Sequence, residues 1–255
     1  MADLATRALV GLVLALVAAT ALWAGGIAFW LVLVVVALLM LGEWAELHRA
    51  TRRERRLAQY SLSVPLAIMC PLAAGPNFFA LGLVAGAAFF VAAVTRRGGL
   101  GWGVAYVGLP VLALLLLRGE ERGLVLAFWA MALVWATDIG AYFAGRAFGG
   151  PRLAPVLSPN KTWAGLVGGV VAATAFGFAM HAWAGLPFRL VMWTPLLALA
   201  AQGGDLYESW LKRRAGVKDS GHILPGHGGL MDRLDGLVPV APLAALLIEV
   251  PKWLT

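Results

Sequence analysis

The sequence predicts an all-α integral membrane protein whose chain crosses the bilayer many times. Of its 255 residues, 61% are hydrophobic and only 13% are charged, whereas a soluble domain of this length carries roughly 25% charged residues. The apolar residues form runs along the whole chain, and most runs approach the roughly 20 residues that a helix needs to cross the hydrocarbon. Lysine and arginine concentrate in alternate connections between the runs. These features favour a polytopic membrane protein over one or two soluble domains.

Nine apolar runs predict about nine transmembrane helices. In chain order they cover residues 8–24, 27–47, 60–75, 77–95, 100–117, 123–147, 163–185, 191–211 and 237–254. The first run could be a signal peptide, but Asp3 offsets Arg7 and eight further runs follow, which favours a retained helix. Gly75 and Pro76 separate the third and fourth runs so closely that the boundaries of these two spans stay open.

The distribution of basic residues predicts a cytoplasmic N-terminus. Connections rich in lysine and arginine stay on the cytoplasmic side of a membrane. With the N-terminus inside, sixteen of the twenty lysines and arginines face the cytoplasm, and Arg118, Arg122, Arg189 and Lys252 do not. The net charge of +7 therefore suits anionic lipid headgroups. No nucleic-acid partner is expected, because no soluble segment shows a basic patch with interleaved aromatic residues.

Two aspartates lie inside predicted spans. Asp138 lies in the sixth span, roughly 15 Å below its cytoplasmic end at about 1.5 Å per residue. Asp205 lies at a similar depth in the eighth span, where Gly203 and Gly204 allow close backbone approach. Carboxylates at this depth are costly and indicate function. Alternatively, Asp138 accepts a structural hydrogen bond from a neighbouring helix and Asp205 pairs with a lysine or arginine. If both face one cavity, a hard divalent cation such as Mg²⁺ fits.

A charged, glycine-rich segment between Asp205 and Asp235 is the most unusual part of the chain. It contains acidic, basic and histidine side chains between two apolar runs. Upstream, the connection Ser158–Thr162 carries Lys161 just before the helix predicted at Trp163, which either Ser158 or Thr162 can cap. A lysine before a helix N-terminus favours anion binding. Both segments fall on the predicted cytoplasmic side and point to phosphate chemistry.

These residues resemble the CDP-diacylglycerol synthase (phosphatidate cytidylyltransferase) family. The C-terminal pattern of that family is matched by Ser209, Leu211, Lys212-Arg213, Lys218-Asp219, Pro225, His227-Gly228-Gly229, Asp232-Arg233 and Asp235. Upstream matches are Asp138, Ala141-Tyr142, Gly145, Phe148-Gly149, Ser158-Pro159, Lys161-Thr162 and Gly204-Asp205-Leu206. The likeness covers residues 131 to 240. One position departs, because Ala164 stands where the family usually has glutamate, and its effect on activity is open.

The resemblance implies transfer of CMP from CTP to phosphatidic acid, giving CDP-diacylglycerol and pyrophosphate. It implies Mg²⁺ held by Asp205 and Asp232, with a second, monovalent cation left open. The phosphate-binding residues that it implies are Lys161, Lys212, Arg213, Lys218 and Arg233. Those that orient CTP are Ser158, Thr162, His227, Gly228 and Gly229, with Tyr142 and Asn160 also in contact with substrate. Those that complete the site are Asp138, Ser209, Asp219 and Asp235.

We therefore divide the chain into residues 1–120, with spans one to five, and a catalytic region of residues 121–255 with a cytoplasm-facing cavity. The resemblance places the protein in a bacterial inner membrane, and a homodimer is left open. One alternative is a CTP-dependent polyprenol or phytol kinase, which would release CDP instead of pyrophosphate. Another is an ion-coupled transporter that uses Asp138 and Asp205 as ion ligands, although no internal repeat is evident.

Overall fold

The computed structural model describes residues 4–221, 223 and 228–253, most of which lie in helices. The long helices are α1 (Leu4–Ala24), α2 (Gly26–Leu47), α3 (Arg52–Ile68), α4 (Phe78–Thr95), α5 (Gly98–Gly119), α6 (Gly123–Phe148), α7 (Trp163–Ala184), α8 (Phe188–Ala215) and α10 (Leu237–Trp253). A short helix, α9 (Met231–Leu234), precedes α10. Two strands, β1 (Arg152–Ala154) and β2 (Ser158–Thr162), join α6 to α7.

Each predicted apolar run overlaps one long helix, so the all-α membrane class is confirmed. In the described part of the chain, five helices are long and apolar enough to cross a membrane, namely α2, α4, α5, α6 and α7. The apolar parts of α1 and α10 are shorter, Val10–Ala24 and Leu237–Val250, and α3 and α8 carry several charged residues. The number of spans and the cytoplasmic N-terminus therefore stay predictions.

Helix α3 begins well before the apolar run that predicted it. Thr51 and Glu54 form a capping box, in which Glu54 N donates to Thr51 Oγ1 at 3.3 Å and Thr51 N donates to Glu54 Oε2 at 2.7 Å. These bonds satisfy the first backbone groups, so the helix extends through its arginines. Hydrogen bonds from the Thr51 backbone and hydroxyl lower the pKa of Glu54, as does the nearby Arg97.

The connection between α6 and α7 is a short antiparallel hairpin, although the sequence predicted a loop. Arg152 lies opposite Thr162, and Ala154 lies opposite Ser158. The ladder gives partners to backbone groups in a segment that must reverse direction within a few residues. Of the two candidate caps for α7, Thr162 is confirmed, because Gly165 N donates to its Oγ1 at 3.0 Å.

Helix α5 lies at the centre of the bundle and packs against α2, α4, α6 and α10. Trp44 of α2 lies against Gly103, where a Cβ would overlap the indole ring, and its Nε1 donates to Gly99 O at 2.8 Å. This packing fixes the C-terminal end of α2 beside α8 and α9. By contrast, large side chains of α4 such as Phe79 and Phe89 are exposed, as expected for a helix that faces lipid.

Candidate active site

Side chains from α6, β2 and α8 form a first polar cluster around Asp205. Lys161 forms an ion pair with Asp205 and donates to Gln202 Oε1 at 2.8 Å. Gln202 Nε2 lies 3.4 Å from Asp138 Oδ1, and Ser209 Oγ lies 3.4 Å from Asp205 Oδ1. We call these five residues the Asp205 cluster. Both alternatives considered for the aspartates are thus present, since Asp205 is paired with a lysine and Asp138 accepts a hydrogen bond from another helix.

Small residues bring the elements of this cluster together. A Cβ at Gly140 of α6 would meet the Ala172 methyl group and the Gly168 backbone of α7. The two helices therefore pack with their backbones close to each other. Because β2 leads directly into α7, this packing carries Lys161 toward the face of α6 that presents Asp138. The small residues at the contact between α6 and α7 therefore allow Lys161 of β2 to reach side chains of both α6 and α8.

The C-terminal end of α8 and the segment after it form a second cluster around Asp232. Lys212 Nζ donates to Asp232 Oδ1 at 2.6 Å and lies 3.4 Å from Glu208 Oε1. On the other oxygen, Asp232 Oδ2 accepts from Ser220 N at 2.9 Å, Ser220 Oγ at 3.0 Å and Gly229 N at 2.8 Å. We call these five residues the Asp232 cluster. Each oxygen of Asp232 therefore has its own donors.

The electrostatic state of Asp232 follows from these donors. Burial by itself would raise the pKa of Asp232. The hydrogen bonds from Lys212 and from the backbone of Gly229 and Ser220 outweigh burial and lower the pKa below its ordinary value. Charge-assisted bonds of this kind stabilise the ionised carboxylate. Asp232 is therefore negatively charged at neutral pH.

Asp235 lies between the two clusters. Its charged neighbours include Asp205, Asp138 and Lys212. The pKa of Asp235 is raised to about 7, chiefly by burial and then by the carboxylate of Asp205. The approach of this segment to α8 requires Gly204, because a Cβ there would meet the Asp235 carbonyl oxygen and the Pro239 ring. The close backbone approach expected beside Asp205 is thus found at Gly204.

The charge balance of the two clusters suits a bound cation. Five carboxyl groups face the ammonium groups of Lys161 and Lys212, and they belong to Asp138, Asp205, Glu208, Asp232 and Asp235. The buried Glu208 forms an ion pair with Lys212 through Oε1, and neither of its carboxyl oxygens accepts a hydrogen bond in the described part of the chain. Carboxylate oxygens are the ligands that hard divalent cations prefer. The donor set therefore fits such an ion in charge and in ligand type.

The predicted pairing of Asp205 with Asp232 at one metal ion stays a prediction. Each carboxylate pairs with a different lysine. Among the residues that the structure describes, no three His, Cys, Asp or Glu side chains are arranged to hold a metal ion. The arrangement instead places Asp235 electrostatically beside Asp205, so this third aspartate joins the two clusters.

The other predicted site residues lie around the clusters. Tyr142 is exposed and its hydroxyl accepts from Arg146 at 3.1 Å. Ser158 and Asn160 lie on β2. Arg213 donates to Val217 O at 3.3 Å near the end of α8.

The remaining predicted residues lie after α8. Lys218, Asp219 and Arg233 are exposed. Gly228 has a φ of 78° and approaches Asp232, whose Oδ2 a Cβ at that position would meet at 2.8 Å. His227 lies outside the described residues.

Four residues of the site were not among the predicted site residues. Gln202 links Lys161 to Asp138, Glu208 contacts Lys212, and Ser220 donates twice to Asp232. Glu43 of α2 is buried against the segment that carries Asp232. The spacing of Glu208 and Lys212, one helical turn apart, was a visible signal. Ser220 and Glu43 carried no such signal in the sequence. Ser220 bonds to a residue that is distant in the chain, and Glu43 bonds to backbone N–H groups.

Comparison with known proteins gives a consistent result over most of the chain. A model of the cytidylyltransferase family matches residues 5–250. A phosphatidate cytidylyltransferase of Brucella suis biovar 1 (strain 1330) is 43% identical, over 96% of this chain and 93% of the relative. One from Brucella melitensis biotype 1 is 42% identical over the same shares. One from Staphylococcus saprophyticus is 43% identical over 57% of this chain and 56% of the relative.

Proposed function

The chain belongs to the cytidylyltransferase family, and we propose on that premise that it is a phosphatidate cytidylyltransferase. The reaction transfers CMP from CTP to phosphatidic acid and yields CDP-diacylglycerol and pyrophosphate, a step in phospholipid biosynthesis. The observation that carries this proposal is the identity to phosphatidate cytidylyltransferases over nearly the full length of both chains. The two clusters support it, because they combine carboxylates with lysines beside an apolar bundle.

The bond changes define what the site has to do. An oxygen of the phosphatidate phosphate attacks the α-phosphorus of CTP, a new P–O bond forms, and the bond to the β-phosphate breaks to release pyrophosphate. A phosphate dianion is already a nucleophile, so the reaction needs no general base. Both reactants are anionic, and the protein must therefore hold them together and offset their charge.

The basic residues supply that charge. Lys161 and Lys212 are held by carboxylates in the two clusters and offset the charge of the phosphates when the substrates arrive. Arg213, Lys218 and Arg233 line the edge of the same region and bind the phosphates from the exposed side. Carboxylates that keep the lysines charged and oriented prepare the site before the substrates bind.

We propose that the cation at this site is Mg²⁺, held by Asp205 and Asp232, since their oxygens suit a hard ion. When bound, it neutralises charge on the transferring phosphates. Asp138, Ser209, Asp219 and Asp235 orient these groups. Ser158, Thr162, His227 and the backbone of Gly228 and Gly229 orient CTP, with Tyr142 and Asn160 beside them. A second, monovalent cation and a homodimer stay open predictions.

The proposed arrangement in the membrane follows from the basic residues. With nine spans and a cytoplasmic N-terminus, the hairpin and both ends of the Asp205–Asp235 segment lie on the side where CTP is present. In a bacterium, this is the cytoplasmic face of the inner membrane. The catalytic region is then residues 121–255.

One incubation tests the reaction. The purified protein is mixed with labelled CTP, Mg²⁺ and phosphatidic acid, and the products are separated. Labelled lipid together with pyrophosphate is the expected result. Release of CDP with a phosphorylated lipid would replace the proposal with the kinase alternative, and the absence of both products would reject it.

Two variants test the proposed metal ligands. Asp205→Asn and Asp232→Asn should each abolish turnover while the protein still inserts and folds, because an amide oxygen is a poor replacement for a carboxylate ligand. Mg²⁺ binding, followed as a cation-dependent rise in melting temperature, should be lost in both variants. Near-normal activity in either variant would remove that residue from the metal site.

A further inference from the structure

Glu43 is a buried carboxylate of α2 that accepts hydrogen bonds from the segment that carries Asp232. Its side chain is almost fully buried. Glu43 Oε1 accepts from Leu230 N at 2.9 Å, and Oε2 accepts from Met231 N at 2.9 Å. Ser220 Oγ lies 3.2 Å from the same Oε2. A buried carboxylate is stable only when hydrogen bonds replace its hydration, and here the Asp232 segment supplies them.

Ser220 connects Glu43 to Asp232. Its hydroxyl oxygen lies 3.2 Å from Glu43 Oε2 and 3.0 Å from Asp232 Oδ2. The hydroxyl has one proton to donate, so the two carboxylates share it. Ser220 N donates to Asp232 as well, at 2.9 Å. The position of Glu43 therefore determines where Ser220 lies, and Ser220 determines where one oxygen of Asp232 lies.

Two glycines make room for the Glu43 carboxyl group. A Cβ at Gly221 would lie 2.7 Å from Glu43 Oε1, and a Cβ at Gly229 would lie 2.7 Å from Glu43 Oε2. Gly221 lies before residues 222 and 224–227, which the structure does not describe, and Gly229 lies after them. Glu43 thus contacts bare backbone on both ends, and a shorter or neutral side chain would not replace all of these contacts.

We propose that Glu43 is a positioning residue for cytidylyl transfer, which acts by fixing the Asp232 carboxylate through Ser220 and the start of α9. This inference rests on the proposed function and adds a residue from outside the predicted catalytic region. Glu43 does not touch substrate. It holds Ser220 and the start of α9 against α2, so that Lys212 and the Gly229 N–H meet Asp232 in one geometry.

Substitutions at Glu43 can distinguish a positioning role of its carboxylate from a role in packing alone. Glutamine has the same size, but its amide nitrogen would face a backbone N–H of Leu230 or Met231, so two donors would oppose each other. Aspartate keeps both acceptor oxygens but withdraws them by one methylene. Partners of a catalytic carboxylate of this kind contribute about 10- to 100-fold to activity or metal affinity. We therefore expect Glu43→Asp to retain more activity than Glu43→Gln.

The experiment compares Glu43→Gln, Glu43→Asp and Glu46→Gln. Glu46 is a matched control, because it lies on the same helix, is exposed and pairs with Arg55 at 2.6 Å on the surface. For each purified variant, kcat and KM for CTP are measured well below the melting temperature, and the melting temperature is recorded with and without Mg²⁺. Expected results are a kcat lowered about 10- to 100-fold in Glu43→Gln, partial recovery in Glu43→Asp, and wild-type values in Glu46→Gln.

A double-variant test distinguishes positioning from loss of stability. Ser220→Ala breaks the same connection, so Glu43→Gln combined with Ser220→Ala should lower kcat no further than the more damaging single variant. A folded Glu43→Gln protein with the kcat of the Glu46→Gln control would overturn the inference. If Glu43→Gln does not accumulate in the membrane, wild-type kcat in both Glu43→Asp and Ser220→Ala would overturn it instead. Failure of the wild-type protein to form CDP-diacylglycerol would reject the proposed function, which is a separate outcome.

Discussion

The two clusters on α8 hold their aspartates in different ways. Asp232 accepts four hydrogen bonds of 2.6 to 3.0 Å, two of them from backbone N–H groups. Asp205 receives its contacts from side chains, the ion pair with Lys161 and a long 3.4 Å bond from Ser209. Their exposure differs as well, since the Asp232 side chain is 10% exposed and the Asp205 side chain is 30% exposed.

Because of this difference, the two carboxylates differ in how freely they can move. A backbone donor cannot move unless its whole segment moves, whereas a lysine side chain can turn to a new partner. We infer that Asp232 is fixed before the substrates bind and that Lys161 and Asp205 rearrange around the phosphates. A site with one fixed and one adjustable carboxylate can bind a large anionic nucleotide and still present a prearranged charge to the reacting phosphate.

Removal of the two lysines should show the largest contrast between the clusters. Lys212→Met leaves the buried Glu208 and Asp232 without their cation, and loss of one partner of a buried pair costs about 3–5 kcal/mol in the free energy of unfolding. Lys161→Met leaves the more exposed Asp205 hydrated, at a cost of about 1 kcal/mol. Melting temperatures in detergent measure both, and equal losses would contradict the comparison.

The pH dependence of stability should have opposite signs at Asp235 and Asp232. The pKa of Asp235 is raised from 3.8 to about 7, so the folded protein keeps a proton that the unfolded chain releases. Its contribution to stability therefore falls as the pH rises from about 4 to about 7. The pKa of Asp232 is lowered. Its contribution to stability is therefore present at pH values above the ordinary pKa of an aspartate, and it is lost as the pH falls below that pKa.

Two asparagine variants measure these slopes in the presence of a chelator. The melting temperature of Asp235→Asn relative to the wild type should increase from about pH 4 to about pH 7 and then stay constant. The melting temperature of Asp232→Asn should be lower than that of the wild type at pH 7, and this difference should become smaller at acidic pH. Differences that do not change with pH would contradict the environments described for the two carboxyl groups.

A methyl group at Gly204 should disturb the segment that joins the clusters. The added Cβ would lie 2.9 Å from Pro239 Cδ and even closer to the Asp235 carbonyl oxygen. Overpacking of this kind lowers the free energy of unfolding by about 1–3 kcal/mol, and Gly204→Ala should also lose activity as Asp235 is displaced. Gly203→Ala is the control, because its Cβ would meet nothing within 4 Å. Equal behaviour of the two variants would show that the close approach at Gly204 is unimportant.

The sequence predicted the helices well because their signal is local. Each apolar run overlaps a helix, since a run of apolar residues has the same consequence wherever it lies in the chain. The hairpin at Ser158–Thr162 was not predicted. Its strands form because β1 and β2 supply hydrogen-bond partners to each other, and the five residues of β2 show no alternation of apolar and polar side chains that would indicate a strand.

The candidate site was predicted in part. The resemblance selected Lys161, Asp205, Lys212 and Asp232, and the structure places all four in the two clusters. It did not indicate which lysine pairs with which aspartate. That choice depends on how α6, α7 and α8 pack, and the positions that control the packing are glycines without side-chain chemistry of their own.

The sequence by itself determined the class of the protein, its apolar helices and the residue types of a phosphate-handling site. Only the tertiary structure decided that the site contains two clusters and that Glu43 of α2 joins the second. Glu43 and the backbone N–H of Met231 are 188 positions apart, and backbone donors have no signature in a sequence. Hydrophobic burial is a property of each segment, whereas the pairing of buried charges depends on which segments meet.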